Sequence, residues 1–151
     1  MFLLGQKSEV VKDMLVGKSK IINFLLCVWQ LPQIIVGLLM LIIFRNKVCY
    51  VNKRNGVFVW RISHGGLFGR ACFSTGPFII TVDSPSDDLL LHETGHSLQS
   101  IYLGLLYHIV VSIPSICLFW YRRIKKKDLD WYHSCWPESW ADKCGCVNDK
   151  H

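Results

Sequence analysis

The sequence predicts an α+β membrane protein with a transmembrane helix near its N-terminus. A small β-sheet, a helix with a metal-binding motif, a second apolar segment and a C-terminal helix are expected to follow. Hydrophobic residues make up 51% of the 151 residues and charged residues only 19%, whereas about a quarter of a soluble domain is charged. Two long uncharged stretches account for this bias, and β-branched and aromatic segments lie between them. The composition excludes a solvated disordered chain and argues against a simple soluble enzyme.

The first domain, residues 1–47, is expected to anchor the chain in a membrane. Residues 1–20 mix lysines with apolar residues, which predicts a short amphipathic helix lying on the bilayer. No charge occurs from Ile21 to Phe44, and as a helix this stretch would be about 36 Å long against a hydrocarbon core of roughly 30 Å. It is the best transmembrane segment. Gln30 and Gln33 lie within it, and we expect both to contact the rest of the fold, because polar groups at that depth normally face protein.

Residues 48–82 favour two or three short strands. The run from Phe78 to Val82 is rich in β-branched residues, and pairs with glycine at 55–56 and 65–66 predict turns between strands. A helix is expected from about Asp87. Ser86 is suited to cap it, and the acidic residues of its first turn complement the helix dipole.

A second uncharged stretch extends from Ser97 to Tyr121. Gly104 and Pro114 interrupt it, so we expect an apolar hairpin that turns near Gly104, with a straight second span as the alternative. A basic cluster at residues 122–127 follows directly. This position suits an anionic lipid surface, and argues against a nucleic-acid interface. A last helix is expected to begin at Pro137.

The segment that carries chemistry is an H-E-x-x-H motif formed by His92, Glu93 and His96. On a helix, positions i and i+4 lie on one face, so two imidazoles can reach one Zn²⁺ ion. Glu93 would then lie beside the metal, where it can take a proton from zinc-bound water. The alternative is an amphipathic helix with two surface histidines.

A catalytic zinc commonly has three protein ligands and an open position. Glu138 is the one glutamate downstream of His96, and it can complete the site. Asp142 lies one helical turn further on, where it can accept the other ring N–H of a ligating histidine and fix its tautomer. The alternatives are a solvated first-turn carboxylate at Glu138 and an ordinary surface acid at Asp142.

The two motifs together, His92 to His96 and Glu138 to Asp142, resemble those of the gluzincin metallopeptidases, especially the membrane-bound HtpX and CAAX prenyl protease type. The chain is also similar to small bacterial membrane proteins with an H-E-x-G-H-x-x-Q-S motif. That similarity covers Gly76 to Ile79, His92 to Ser100 and Glu138 to Asp142. It implies a minimal zincin-like metallopeptidase domain over residues 48–151, with the apolar segment 97–121 embedded in it.

The resemblance also implies a division of roles. His92, His96 and Glu138 would bind zinc, and Glu93 would be the general base of peptide-bond hydrolysis. An edge strand beside the motif helix would pair with an extended substrate; Phe78 to Val82 is the local candidate, with an interior strand as the alternative. Tyr132 and His133 precede Glu138 and are candidate donors to the tetrahedral oxyanion.

These features favour an integral zinc-dependent endopeptidase of the cell membrane, with its active site facing the cytoplasm. Its partners would be the lipid bilayer and a peptide or membrane-protein substrate, with no nucleic acid. One alternative is a zinc-binding membrane adaptor or immunity-type protein without proteolytic activity. Another is a small membrane scaffold in which the motif is accidental. Substrate, orientation and oligomeric state are left open.

Overall fold

A computed structural model describes residues 20–43, 48–54, 57–62, 72–81 and 85–147. These residues form a mainly helical α+β fold, as the sequence predicts. Its helices are α1 (Lys20–Trp29), α2 (Leu31–Ile43), α3 (Asp87–Leu103), α4 (Ile113–Lys125), α5 (Leu129–Ser134) and α6 (Glu138–Gly145). Its strands are β1 (Val48–Arg54), β2 (Val57–Ile62), β3 (Phe73–Thr75) and β4 (Phe78–Ile80). The amphipathic helix expected in residues 1–20 lies, apart from Lys20, outside the described residues.

The strands form one mixed sheet in the order β1-β2-β4-β3. β1 and β3 pair antiparallel with β2 and β4 respectively, whereas β2 and β4 are parallel. The sheet has four strands, more than the two or three that the sequence predicts. The short strand β3 precedes the turn at Gly76, whose φ is +56°. β4 has partners on both sides, so the prediction that Phe78 to Val82 is an edge strand is wrong. β3, at the edge of the described sheet, packs against α3 instead.

The apolar stretch from Ile21 to Phe44 is not one rod. It divides at Gln30 into α1 and α2. Pro32 has no N–H to donate to the carbonyl one turn earlier, and this weakens the helix at that point. No single helix within the described residues is long and apolar enough to cross a membrane, so the prediction of a continuous N-terminal transmembrane helix is wrong.

Gln30 and Gln33 join these helices to the rest of the fold, as expected from their polarity. Ser100 Oγ donates to Gln30 Oε1 at 2.8 Å, and Gln33 Nε2 donates to the carbonyl of Gly104. Both glutamine side chains are buried. The start of α2 is therefore tied to the C-terminal end of α3.

α3 begins at Asp87 and is capped by Ser86, whose Oγ accepts from the backbone N–H of Leu89 at 3.2 Å. This confirms the predicted start. The helix ends at Gly104, with a φ of +51°, followed by a 3₁₀ turn and a π-helical turn at His108–Ser112. The segments Asp87–Leu106 and His108–Lys125 are bent by 119°, and only together do they have the length and composition of a broken span or re-entrant loop. The bend that the favoured hairpin requires is thus observed, and the straight second span is not.

α6 crosses α3 at backbone contact distance. A Cβ at Gly95 would lie 1.9 Å from the carbonyl oxygen of Ala141, and one at Gly145 would lie 2.0 Å from that of Leu91. Only glycine fits at these two positions without a backbone shift. α6 begins at Glu138, one residue after the expected Pro137. The close crossing brings its acidic residues onto the face of α3 that carries the motif.

Candidate metal centre

Three buried side chains converge where α6 crosses α3. His92 and His96 lie one turn apart on α3, and Glu138 is the first residue of α6. Oε2 of Glu138 lies 3.0 Å from Nε2 of His92 and 3.2 Å from Nε2 of His96. Glu138 is fully buried and both imidazoles are nearly so. The two motifs that are far apart in sequence therefore meet at one point.

The outer nitrogen of each imidazole is fixed by an acceptor. Nδ1 of His92 lies 2.6 Å from Oδ1 of Asp142. Burial alone would raise the pKa of Asp142, but hydrogen bonds from His133 and His92 hold that pKa well below its usual range. Asp142 is therefore an ionised acceptor, and Nδ1 of His92 must carry the proton.

His96 is held in the same tautomer by an amide. Its Nδ1 lies 2.8 Å from Oε1 of Gln99, while Nε2 of Gln99 donates to the carbonyl of Pro137 at 3.1 Å. Because that second bond requires the amide nitrogen, the amide oxygen must face His96. Nδ1 of His96 is then the donor, and its Nε2 points toward Glu138.

With both protons at Nδ1, each neutral imidazole directs the lone pair of Nε2 at the same carboxylate oxygen. Three acceptors that face one another without a donor repel, unless a cation lies among them. His92, His96 and Glu138 can thus hold a metal ion, with ligand atoms all within 4.8 Å of one another. The donor set of two nitrogens and one carboxylate fits such an ion, and its outer hydrogen bonds are those typical of metal-binding histidines.

The electrostatics of the centre favour positive charge. Burial alone lowers the pKa of His92, but its contacts with Asp142 and Glu138 outweigh that effect and raise the pKa to about 10. Burial likewise raises the pKa of Glu138, yet the facing imidazoles of His92 and His96 hold it well below the usual range. The pocket therefore takes up a cation, either a proton or a metal ion.

Glu93 is buried next to these groups. Burial raises the pKa of its carboxyl, and the imidazoles of His96 and His92 offset only part of that rise. Its Oε2 has no hydrogen-bond partner among the described residues. An unpaired buried acceptor of this kind can receive a proton from a small polar molecule beside the centre.

His133 and Tyr132, the expected oxyanion donors, contact different residues of the cluster. Nδ1 of His133 donates to Oδ2 of Asp142 at 3.0 Å, and its ring centroid lies 4.8 Å from that of His92. The hydroxyl of Tyr132 lies 3.4 Å from Oγ of Ser115. Burial, and then the charge of Glu138, raise the pKa of Tyr132, so the phenol stays protonated. His133 is partly exposed beside His92, whereas Tyr132 lies next to Ser115 and Glu138.

Two contributors escape prediction from the sequence. Gln99 orients His96, and Ser115 of α4 donates to Oε1 of Glu138. Ser115 lies in the uncharged stretch from Ser97 to Tyr121, where a hydroxyl has no recognisable spacing to the motif. Its polarity within an apolar run is the one signal that could have drawn attention to it.

No protein-family model matches the chain, and no curated protein or solved structure matches it either. The resemblance to gluzincin peptidases therefore stays a prediction that depends on the motif residues. The geometry is independent of that resemblance, since it follows from where α3 and α6 cross.

Proposed function

We propose that the protein is a membrane-anchored, zinc-dependent endopeptidase. The observation that supports this most is the convergence of His92, His96 and Glu138, with the buried carboxylate of Glu93 beside them. Two imidazoles and one carboxylate are a donor set that zinc prefers in hydrolytic sites, where a fourth position stays open for water. Softer metals favour thiolates, and the metal-binding groups found among the described residues include no cysteine.

Held by His92, His96 and Glu138, a zinc ion would lower the pKa of a bound water and polarise the scissile carbonyl. Glu93 accepts the proton of the attacking water and passes it to the leaving amine. Nε2 of His133 would donate to the developing oxyanion from the doubly protonated ring, while Nδ1 stays bonded to Asp142, whose charge orients the ring.

The substrate is expected to bind as an added strand on β3. This strand lies at the edge of the described sheet and packs against α3, which carries the motif. Backbone hydrogen bonds along a sheet edge accept many sequences, as an endopeptidase requires. β3 takes the role that the sequence suggested for Phe78 to Val82.

Residence in the cell membrane is part of the proposal. The bent pair of segments from Asp87 to Lys125 has the composition of a broken span or re-entrant loop. The basic residues at its end favour the cytoplasmic side, so the active site would face the cytoplasm. Peptides or membrane proteins held at that surface are the expected substrates.

The test uses the full chain reconstituted in lipid nanodiscs with a peptide library. Glu93→Gln should bind zinc as the wild type does and lose at least about a thousandfold in kcat/KM, because it removes the carboxylate proposed as the base. Asp88→Asn, an exposed change of the same type at the start of α3, is the matched control and should keep full activity. Stoichiometric zinc without cleavage by the wild type would contradict the peptidase and favour a zinc-binding adaptor.

A further inference from the structure

In α2 and α4, polar side chains face inward and apolar side chains face outward, which is the reverse of the pattern in a water-soluble domain. In α2, Gln33 is fully buried, whereas Leu31, Ile35, Leu38 and Ile42 are each about half exposed or more. A helix on a water-soluble core buries its apolar residues and exposes its polar ones. The outer face of α2 therefore suits an apolar environment.

α4 repeats this pattern independently. Ser115 and Arg122, seven residues apart, face inward: Ser115 donates to Glu138, and the guanidinium of Arg122 lies 5.7 Å from the ring of Tyr132. The outward residues follow helical spacing and are 54%, 57%, 57% and 74% exposed: Ile113, Ile116, Trp120 and Ile124. We call this set the α4 stripe. Two separate helices thus present continuous apolar faces to their surroundings.

Charge at one end of the stripe identifies its surroundings. Arg122, Arg123 and Lys125 lie in the last turn of α4, and Lys126 and Lys127 follow. Trp120 and Tyr121 lie immediately before them. Aromatic residues flanked by cations are typical of the boundary between hydrocarbon and headgroups, and a cluster of cations favours anionic lipid over zwitterionic lipid.

We propose that the α4 stripe and the outer face of α2 lie in the hydrocarbon of a bilayer, and that Arg123, Lys125, Lys126 and Lys127 bind anionic phospholipid headgroups. The charge complementarity at the end of α4 decides between a lipid surface and a second copy of the chain, since two basic ends would repel each other. The Ser115 contact makes the lipid-bound helix also the one that supports Glu138. This inference deepens the membrane part of the proposed function and is independent of hydrolysis.

The experiment is cell-free synthesis of the full chain in the presence of preformed vesicles, followed by flotation. One vesicle population is phosphatidylcholine alone, and the other contains roughly one quarter phosphatidylglycerol. The wild type should float with both and prefer the anionic vesicles by about tenfold or more, with a preference that falls as salt rises.

Two variants that change the net charge equally distinguish headgroup binding at the end of α4 from a general effect of net charge. Lys125 and Lys143 are both exposed and lie in the last turns of α4 and α6. Lys125→Glu should lose about tenfold of its partition onto anionic vesicles while keeping its partition onto phosphatidylcholine. Lys143→Glu should change either value by less than about twofold. Equal losses for both variants would overturn the headgroup site.

A separate variant tests the apolar contacts with the bilayer. Ile113→Asn/Ile116→Asn should weaken flotation on both lipid compositions, because it removes apolar area and no charge. A wild type that stays unfloated with both vesicle populations, or that associates with itself and ignores lipid, would overturn the proposal. None of these readouts needs metal or peptidase activity, so their failure is distinguishable from failure of the proposed function.

Discussion

His92 and Asp142 are joined by a hydrogen bond of 2.6 Å between Nδ1 and Oδ1. The bond crosses from α3 to α6 and directs the other nitrogen of His92 at Glu138. Asp142 also accepts from His133 through its second oxygen. One carboxylate therefore orients a proposed zinc ligand and a proposed oxyanion donor together.

Asp142→Asn should weaken zinc binding by about 10–100-fold, because an amide can no longer accept from both imidazoles. At saturating zinc the variant should still have a lower kcat than the wild type, because His133 is no longer held in place. Competition with a chromophoric chelator measures the affinity. Asp88→Asn, an exposed change of the same type at the start of α3, should leave both values unchanged. Equal zinc affinity in the two variants would remove Asp142 from the account.

Ser115→Ala should weaken zinc binding about tenfold or more, because Oε1 of Glu138 loses a hydroxyl donor in a buried site. Ser115→Thr keeps the hydroxyl and should restore most of the affinity. Ser134→Ala is the control, since that hydroxyl donates only to the backbone carbonyl of Trp131 at an exposed position. If the threonine variant is as weak as the alanine variant, the effect arises from packing and not from the hydrogen bond.

Gly95→Ala should separate α3 from α6. The new Cβ would lie 1.9 Å from the carbonyl oxygen of Ala141, and backbone has little freedom to move away. We expect a loss of about 1–3 kcal/mol or more in the free energy of unfolding, together with loss of zinc. Lys143→Ala on the exposed face of α6 should cost less than about 0.5 kcal/mol. Thermal unfolding and zinc content of the same samples test both expectations, and wild-type stability of Gly95→Ala would disprove the close crossing.

Chelation of the bound metal should lower Tm by about 5–10 °C when the metal had been present at roughly a hundred times its Kd. When the two imidazoles are neutral, the three ligand atoms of the cluster are all acceptors and repel one another. A bound cation removes this repulsion and stabilises the folded state. Glu138→Gln should show almost no change of Tm on chelation, since its site binds little metal to begin with. A Tm that responds equally in both proteins would place the metal elsewhere.

Local signals in the sequence predict much of the centre. The start of α3 at Asp87 follows from the cap at Ser86, and the shared face of His92 and His96 follows from helix periodicity. The bend near Gly104 follows from a residue that tolerates positive φ. Each of these depends on residues within one or two turns of one another, which is the range where backbone geometry alone decides.

The features that the sequence does not predict depend on contacts between segments that are far apart in the sequence. Whether Phe78 to Ile80 lies at the edge or in the interior of the sheet is decided by β2 and β3, whose pairing no local pattern reveals. Pro32 weakens the helix near Gln30, and the bonds from Gln30 and Gln33 to α3 fix the position of the break. Ser115 reaches Glu138 only because the hairpin returns toward α6. Tertiary contacts of this kind override local propensity.

The most direct test of the metal centre is the zinc content of the purified full chain and of two single variants. We expect one zinc per chain in the wild type. His96→Ala and Glu138→Ala should each retain less than about a tenth of that amount, because each removes a ligand from a set of three. One full equivalent of zinc in either variant, or no zinc in the wild type after gentle extraction, would contradict the account.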